Sequence, residues 1–363
     1  MNQSLKEFKN SYLESLLSFL WRQWCALGVA GYARSGDTWL IDPEALLLFT
    51  CTMGRYEARL FDEVLDWLDI NGSFINIQRL RNMLAKKLFH GEMVLSAIAA
   101  LMAKRNKFAK WEKLAKQKQS LKYDENLFIQ KNGKSIGVYG VAEKTFQQYG
   151  LNRGKIEFRG HTQPVPIIRN TGLLFKLRAL VGINARCEIL AYLLTHESAH
   201  PSRIAKETYY SQKTVQDILV EMTYSGLVFV RPVGKEKHYW IKTDEWYNFF
   251  ALNAGIPVQS HTGSPLLDES KTTFIPAELY QKAKWITWPL LLSAFEQIWM
   301  KVEQMETKVE KPLVQSSQLR ALMLRVGPMI QTAGFSQAIT DDKHYLGEEY
   351  IPVFFSDINK LLG

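Results

Sequence analysis

The stretch SQKTVQDILVEMTYSGLVFVRP, residues 211–232, changes character halfway along. Ser211 is a good N-cap, because its hydroxyl can accept a hydrogen bond from a free N–H of the first helical turn. Val215, Ile218, Leu219 and Met222 then recur at helical spacing and predict one buried stripe. That stripe leaves Gln212, Lys213, Thr214 and Gln216 pointing outward near the start of the helix. Ser225-Gly226 predicts the end of the helix, since glycine enters the left-handed conformation at little cost. LVFVRP and KHYWIK, on either side of Gly234-Lys235, then predict two strands around a tight turn.

Working outward, RCEILAYLLTHE predicts a helix that buries Ile189, Leu190, Leu193 and Leu194. His200-Pro201-Ser202 opens a second, short helix through SRIAKETY, with Ile204 and Ala205 facing inward and a turn at Tyr209-Tyr210. The order is helix, helix, helix and a two-stranded hairpin. On the segments ILAYLL, PSRIAKETYYSQKTVQDILVEMTYSGLV and VFVRPVGKEKHYWIK, residues 173–245 resemble the winged helix-turn-helix superfamily, especially its MarR- and ArsR-type bacterial regulators. The resemblance implies that the third helix reads bases through Gln212, Lys213, Thr214 and Gln216. It also implies that the wing reaches the backbone through Arg231, Lys235 and Lys237. A helix end with Gln and Lys suits the major groove, and Ser211 with the free N–H groups can hold a phosphate. The expected function is binding of double-stranded DNA by a prokaryotic transcriptional regulator, not an enzyme. Glu207, Asp217, Glu221 and Glu236 leave this module nearly neutral. The alternative is therefore a winged-helix adaptor that binds protein partners in a toxin-antitoxin-like or multi-protein assembly.

The whole chain has 363 residues, which favours two or three domains. Nearly half of it is hydrophobic (47%), enough for packed interiors and against global disorder. A net charge of +9 points to a polyanionic partner. Cys25, Cys51 and Cys187 are an odd number without CxxC spacing, which predicts free buried thiols in a reducing cytosol. No basic-then-apolar leader and no apolar run of membrane-spanning length occur, so a cytoplasmic location without a membrane partner is expected.

The expected fold class is mainly α, a multi-domain chain with the winged helix between helical domains. The divisions are a helical domain over 1–118, a linker or irregular connector over 119–172, the winged helix over 173–252, a linker over 253–275 and a helical domain over 276–363. In the first, Asp42-Pro43 predicts an N-cap and first-turn proline. EVLDWLDINGSFINIQRLRNML aligns loosely with EILAYLLTHESAHPSRIAKETY, which raises a degenerate second winged helix whose third helix, MVLSAIAALM, is core. From Lys104 to Lys122 lie eight basic residues and one acid, Glu112. Lys104, Arg105, Lys107, Lys110, Lys113 and Lys116 are read as a DNA-contacting arm, against the alternative of a solvated helix face. In the last domain a helix opens at Pro276 and breaks at Pro289. The next carries Leu291, Phe295, Ile298, Val302 and Met305 on one face, read as core, with homodimerisation as the alternative.

Little else carries chemistry. NGKS, residues 132–135, has Phe128 where a phosphate loop needs glycine. His196 and His200 are spaced i, i+4, but Pro201 separates them from one continuous helix, so a capping or surface role is expected. Asp62, Glu63, Asp66 and Asp69 read as a solvated helix face. No G-x-S-x-G, HExxH or GxGxxG occurs, and no catalytic residue, metal or cofactor is expected.

Overall fold

The computed structural model describes residues 3–31, 39–106, 109–115, 124–167, 169–252, 257–259, 265–267, 282–307, 311–335 and 344–362. The chain is mainly helical, with small two-stranded sheets only among the described residues. Helices α1 (Leu5–Ala26), α2 (Pro43–Met53), α3 (Ala58–Asn71), α4 (Ile77–Ala85), α5 (Glu92–Asn106) and α6 (Ala109–Ala115) come first. Strands β1 (Glu125–Asn126) and β2 (Leu151–Asn152) pair in parallel around the single turn α7 (Lys144–Gln147). Next come α8 (Leu173–Val181), α9 (Ala185–Thr195), α10 (Pro201–Thr208) and α11 (Gln212–Tyr224). The antiparallel pair β3 (Phe229–Val233) and β4 (Glu236–Trp240) follows, then α12 (Thr243–Leu252). A short pair, β5 (Pro257–Gln259) and β6 (Pro265–Leu267), precedes α13 (Trp288–Glu306), α14 (Pro312–Thr332) and α15 (Tyr350–Leu362).

Two compact units emerge. One gathers residues 1–35, 42–164 and 286–363, the other residues 36–41 and 165–285. The two helical domains drawn from the sequence at the ends of the chain are therefore one unit, and the physical reason is a shared core. Phe8 of α1 stacks on Phe355 of α15 with ring centroids 4.1 Å apart. The Tyr12 hydroxyl donates to the Phe295 carbonyl of α13 at 3.2 Å. Leu291, Phe295, Ile298, Val302 and Met305 are all buried, as the stripe predicts. Pro289 lies in the first turn of α13; of the helix expected before it, residues 282–287 are not helical and those up to residue 281 lie outside the described residues.

At the start of α2, Asp42 caps as predicted, its Oδ1 accepting from Ala45 N–H at 3.0 Å. Both its oxygens also pair with Arg79 of α4, at 2.6 and 2.5 Å, and Glu44 joins at 2.9 Å. All three side chains are buried, so this triad welds α4 to α2. Asp62, Glu63, Asp66 and Asp69 do not form a solvated face. Asp66 and Glu63 are buried, and Asp66 accepts from the backbone N–H groups of Gly160 and Thr162. Asp62 pairs with buried Arg153 at 2.7 Å, whose guanidinium also lies 5.3–5.9 Å from the ring centroids of Phe61, Phe128 and Phe146. The stretch expected as a connector, as far as it is described up to residue 164, is thus a folded layer on α3. Of the α3 acids, Asp62 and Asp69 pair with arginines distant in sequence and Asp66 with backbone N–H groups.

For the second winged helix raised in the first unit, no strand pair directly follows α5 among the described residues. Helices α3, α4 and α5 run in the expected order, but α6 follows where two strands would be needed. In the second unit one core joins α8, α9, α10, α11, the hairpin and α12, through residues such as Leu177, Leu190, Ile204, Leu219, Tyr239 and Phe250. Arg178 and Glu188 form a buried pair at 2.7 Å between α8 and α9. Of the linker expected over 253–275, β5 and β6 pair antiparallel and the other residues lie outside those described.

Candidate functional site

Three elements of the second unit build the site from short-range chemistry. His200 caps α10, its Nδ1 accepting from Ser202 N–H at 3.3 Å, with Pro201 in the first turn. Helix α10 ends at Tyr209, which takes a left-handed backbone conformation (φ 63°). A non-glycine residue there costs about 1–3 kcal/mol, and the burial of the Tyr209 ring holds it in place. Ser211 then caps α11, its Oγ accepting from Thr214 N–H at 3.1 Å. Val215 and Leu219 are fully buried, and Ile218 and Met222 are half-buried against the same core.

The hairpin turns through Gly234 (φ 61°) and Lys235, the two-residue loop that needs glycine first. Its second strand gains a further partner. Ala199, between α9 and α10, exchanges backbone hydrogen bonds with Tyr239 at 3.0 and 2.9 Å. The order is therefore helix, single-residue strand, helix, helix, strand, strand. A one-residue strand has no periodicity to betray it in the sequence.

The predicted site residues divide into two sets. Gln212, Lys213, Thr214, Lys235 and Lys237 are exposed, and among the described residues no carboxylate pairs with these lysines. Gln216 is half-buried and donates from Nε2 to the Tyr239 hydroxyl at 3.0 Å, which ties α11 to the hairpin. Arg231 is exposed and donates to Glu197 Oε1 and Ser198 Oγ, each at 2.8 Å. Two of the acids that leave the module nearly neutral are taken up within it, Glu207 by Arg203 and Glu221 by Arg186, and Glu236 lies 3.3 Å from the His238 ring. Lys206 on the exposed face of α10 is a further cation with no carboxylate partner among the described residues, and sequence reading left it out.

The far end of α11 has a different surface. Val220, Tyr224, Leu227 and Val230 are exposed, Tyr224 by 86%. The signal for this was present, because Val220 and Tyr224 stand four apart on the helix and off the buried stripe.

The basic run lies in the first unit, and its described part is folded. Arg105 pairs with Asp69 at 2.6 Å and covers the Phe158 ring. Lys110 donates to the carbonyls of Ser73 and Ile75. Trp111 and Leu114 of α6 are buried, whereas Lys104 and Lys113 are exposed. Lys107 and Lys116 lie outside the described residues. Arg105 and Lys110 thus have partners within the first unit, while Lys104 and Lys113 face solvent.

His196 stacks flat on Tyr192, ring centroids 3.8 Å apart, and burial lowers its pKa. Burial likewise pushes the Cys187 thiol up to about 11, so it is a poor nucleophile or ligand. Comparison of the chain with protein-family models, with curated proteins and with solved structures finds no match.

Proposed function

We propose that the second unit is a winged helix-turn-helix that binds double-stranded DNA, in the manner of a transcriptional regulator. The observation that carries the reading is the pairing of Ala199 with Tyr239, because it adds the strand between the first two helices that this topology requires. The exposed start of α11 supplies the chemistry. Gln212 and Lys213 meet base edges, while Ser211, Thr214 and the free N–H groups of the first turn meet phosphate. Lys235 and Lys237 contact the backbone from the wing. Gln216 and Arg231 act one step back, holding α11 and the hairpin in register.

Fluorescence anisotropy with labelled duplex at several salt concentrations tests the reading. Affinity should fall steeply as salt rises, and Lys235→Ala should reduce the slope by about one. A flat response overturns DNA binding. The exposed group Val220, Tyr224, Leu227 and Val230 favours a second reading, an adaptor that binds protein through the far end of α11. Under that reading Tyr224→Ala abolishes partner capture while duplex binding is absent throughout.

A further inference from the structure

The first unit contains a cavity of about 540 Å³, within the size range of small-molecule sites. Lys87, His90, Lys301 and Arg325 line it together with Gln297 and Gln304, and no carboxylate is among its lining residues. Three cationic side chains, Lys87, Lys301 and Arg325, around one hollow repel one another, and an anion in the hollow relieves that repulsion.

The walls are built firmly. Lys87 takes a left-handed backbone conformation (φ 52°), uncommon for a residue with a side chain. The loop it begins is bolted to α13 at two points. Ser293 Oγ donates to the Leu88 carbonyl at 2.6 Å, and His90 N–H donates to Glu296 Oε1 at 3.2 Å. On α13, Gln297, Lys301 and Gln304 stand at i, i+4 and i+7, hence on one face. Arg325 comes from α14. Lys301 Nζ reaches Gln304 Oε1 at 3.3 Å. Behind the lining, Glu296 is fully buried, and its Oε1 lies 3.7 Å from His90 Nδ1.

We propose that this cavity binds a small phosphate-bearing molecule. Arg325 presents a planar fork that matches two phosphate oxygens, Lys301 and Lys87 complete the charge, and the His90 ring adds a further polar group. Gln297 and Gln304 add neutral amides that can orient the remainder of the ligand. A hollow of this volume, open to solvent, takes a molecule of nucleotide size or less. The proposal stands independently of DNA binding by the second unit.

Isothermal titration of the full chain with inorganic pyrophosphate at low ionic strength is the test. One saturable site is expected, weakened by about tenfold or more in Lys301→Ala/Arg325→Ala, since charge-assisted hydrogen bonds are the strong ones. Lys6→Ala/Lys155→Ala removes the same charge from exposed positions elsewhere and should bind as the native chain does. Arg325→Gln alone, at an exposed position, gives a second measure should the double variant melt early. Three outcomes overturn the proposal: no saturable binding, equal weakening in the Lys6/Lys155 control, or citrate binding more tightly than pyrophosphate. Loss of duplex affinity in Lys301→Ala/Arg325→Ala with pyrophosphate binding unchanged would overturn it as well.

Discussion

Two runs of three helices in this chain share an order and part company at the third. Helices α3, α4 and α5 in the first unit parallel α9, α10 and α11 in the second. In α5, Val94, Leu95, Ala97, Ile98, Ala99, Leu101 and Met102 are all buried, whereas in α11 only Val215 and Leu219 are. A helix that is apolar all round is covered by its neighbours, here including α6; one with a single stripe keeps a face for solvent or a ligand. The second difference is charge. Arg79 of α4 is buried against Asp42 and Glu44, while Arg203 of α10 is exposed and pairs with Glu207 at 3.2 Å. The comparison teaches that the same helical succession becomes core or surface according to the composition of its last member.

The largest effect is expected where the first run is locked. Arg79→Ala leaves two buried carboxylates without their partner and should destabilise by about 3–5 kcal/mol, read as an early melting transition. Arg203→Ala, its counterpart at the surface, should change stability by less than about 1 kcal/mol. Equal effects would erase the contrast between the two runs.

Next comes the stripe of α11. Leu219→Ala should cost about 2–5 kcal/mol in urea unfolding, while Val220→Ala, one residue along and exposed, should stay within about 0.5 kcal/mol. A comparable loss from both would mean that α11 is enclosed as α5 is.

A smaller effect separates two glutamines on that helix. On the DNA-binding reading, Gln212→Ala should cost about 1–3 kcal/mol at one operator position, measured by anisotropy across single-base variants. Gln216→Ala should leave base preference alone and lose about 1 kcal/mol of stability, because it gives up the bond to Tyr239. The reverse assignment would place the base-reading face elsewhere.

The smallest effect is a pH dependence in the first unit. The hydrogen bond to Glu296 raises the His90 pKa above its ordinary 6.5, opposed by partial burial and by Arg325, with Glu92 adding to the rise. A raised folded-state pKa stabilises fully below the unfolded value, and the stabilisation is lost as pH rises through the folded value. The difference in melting temperature between the native chain and His90→Gln should therefore be largest at about pH 5.5 and shrink towards about pH 8.5. A gap that is constant over this window would show that the imidazole charge contributes nothing.

Much of the local structure could be read from sequence because it depends on neighbours in the chain. Ser211 capping α11, Asp42-Pro43 opening α2, Gly226 just past the end of α11 and the face from Leu291 to Met305 are all short-range chemistry, and all stand where predicted. The site was legible to the same extent: the exposure of Gln212, Lys213 and Thr214 follows from the stripe on the opposite face. What each charge does could not be read that way. Arg231, Gln216, Arg105, Lys110 and Asp66 looked like solvent-facing groups, and each is committed to a partner between 23 and 96 residues away. The merging of both ends of the chain into one unit has the same origin. Residues separated by most of the sequence share a core, and an apolar stripe states only that it will be covered. Which surface covers it, and which charge neutralises which, is decided by the tertiary structure, because burial and pairing depend on distances that sequence spacing does not contain.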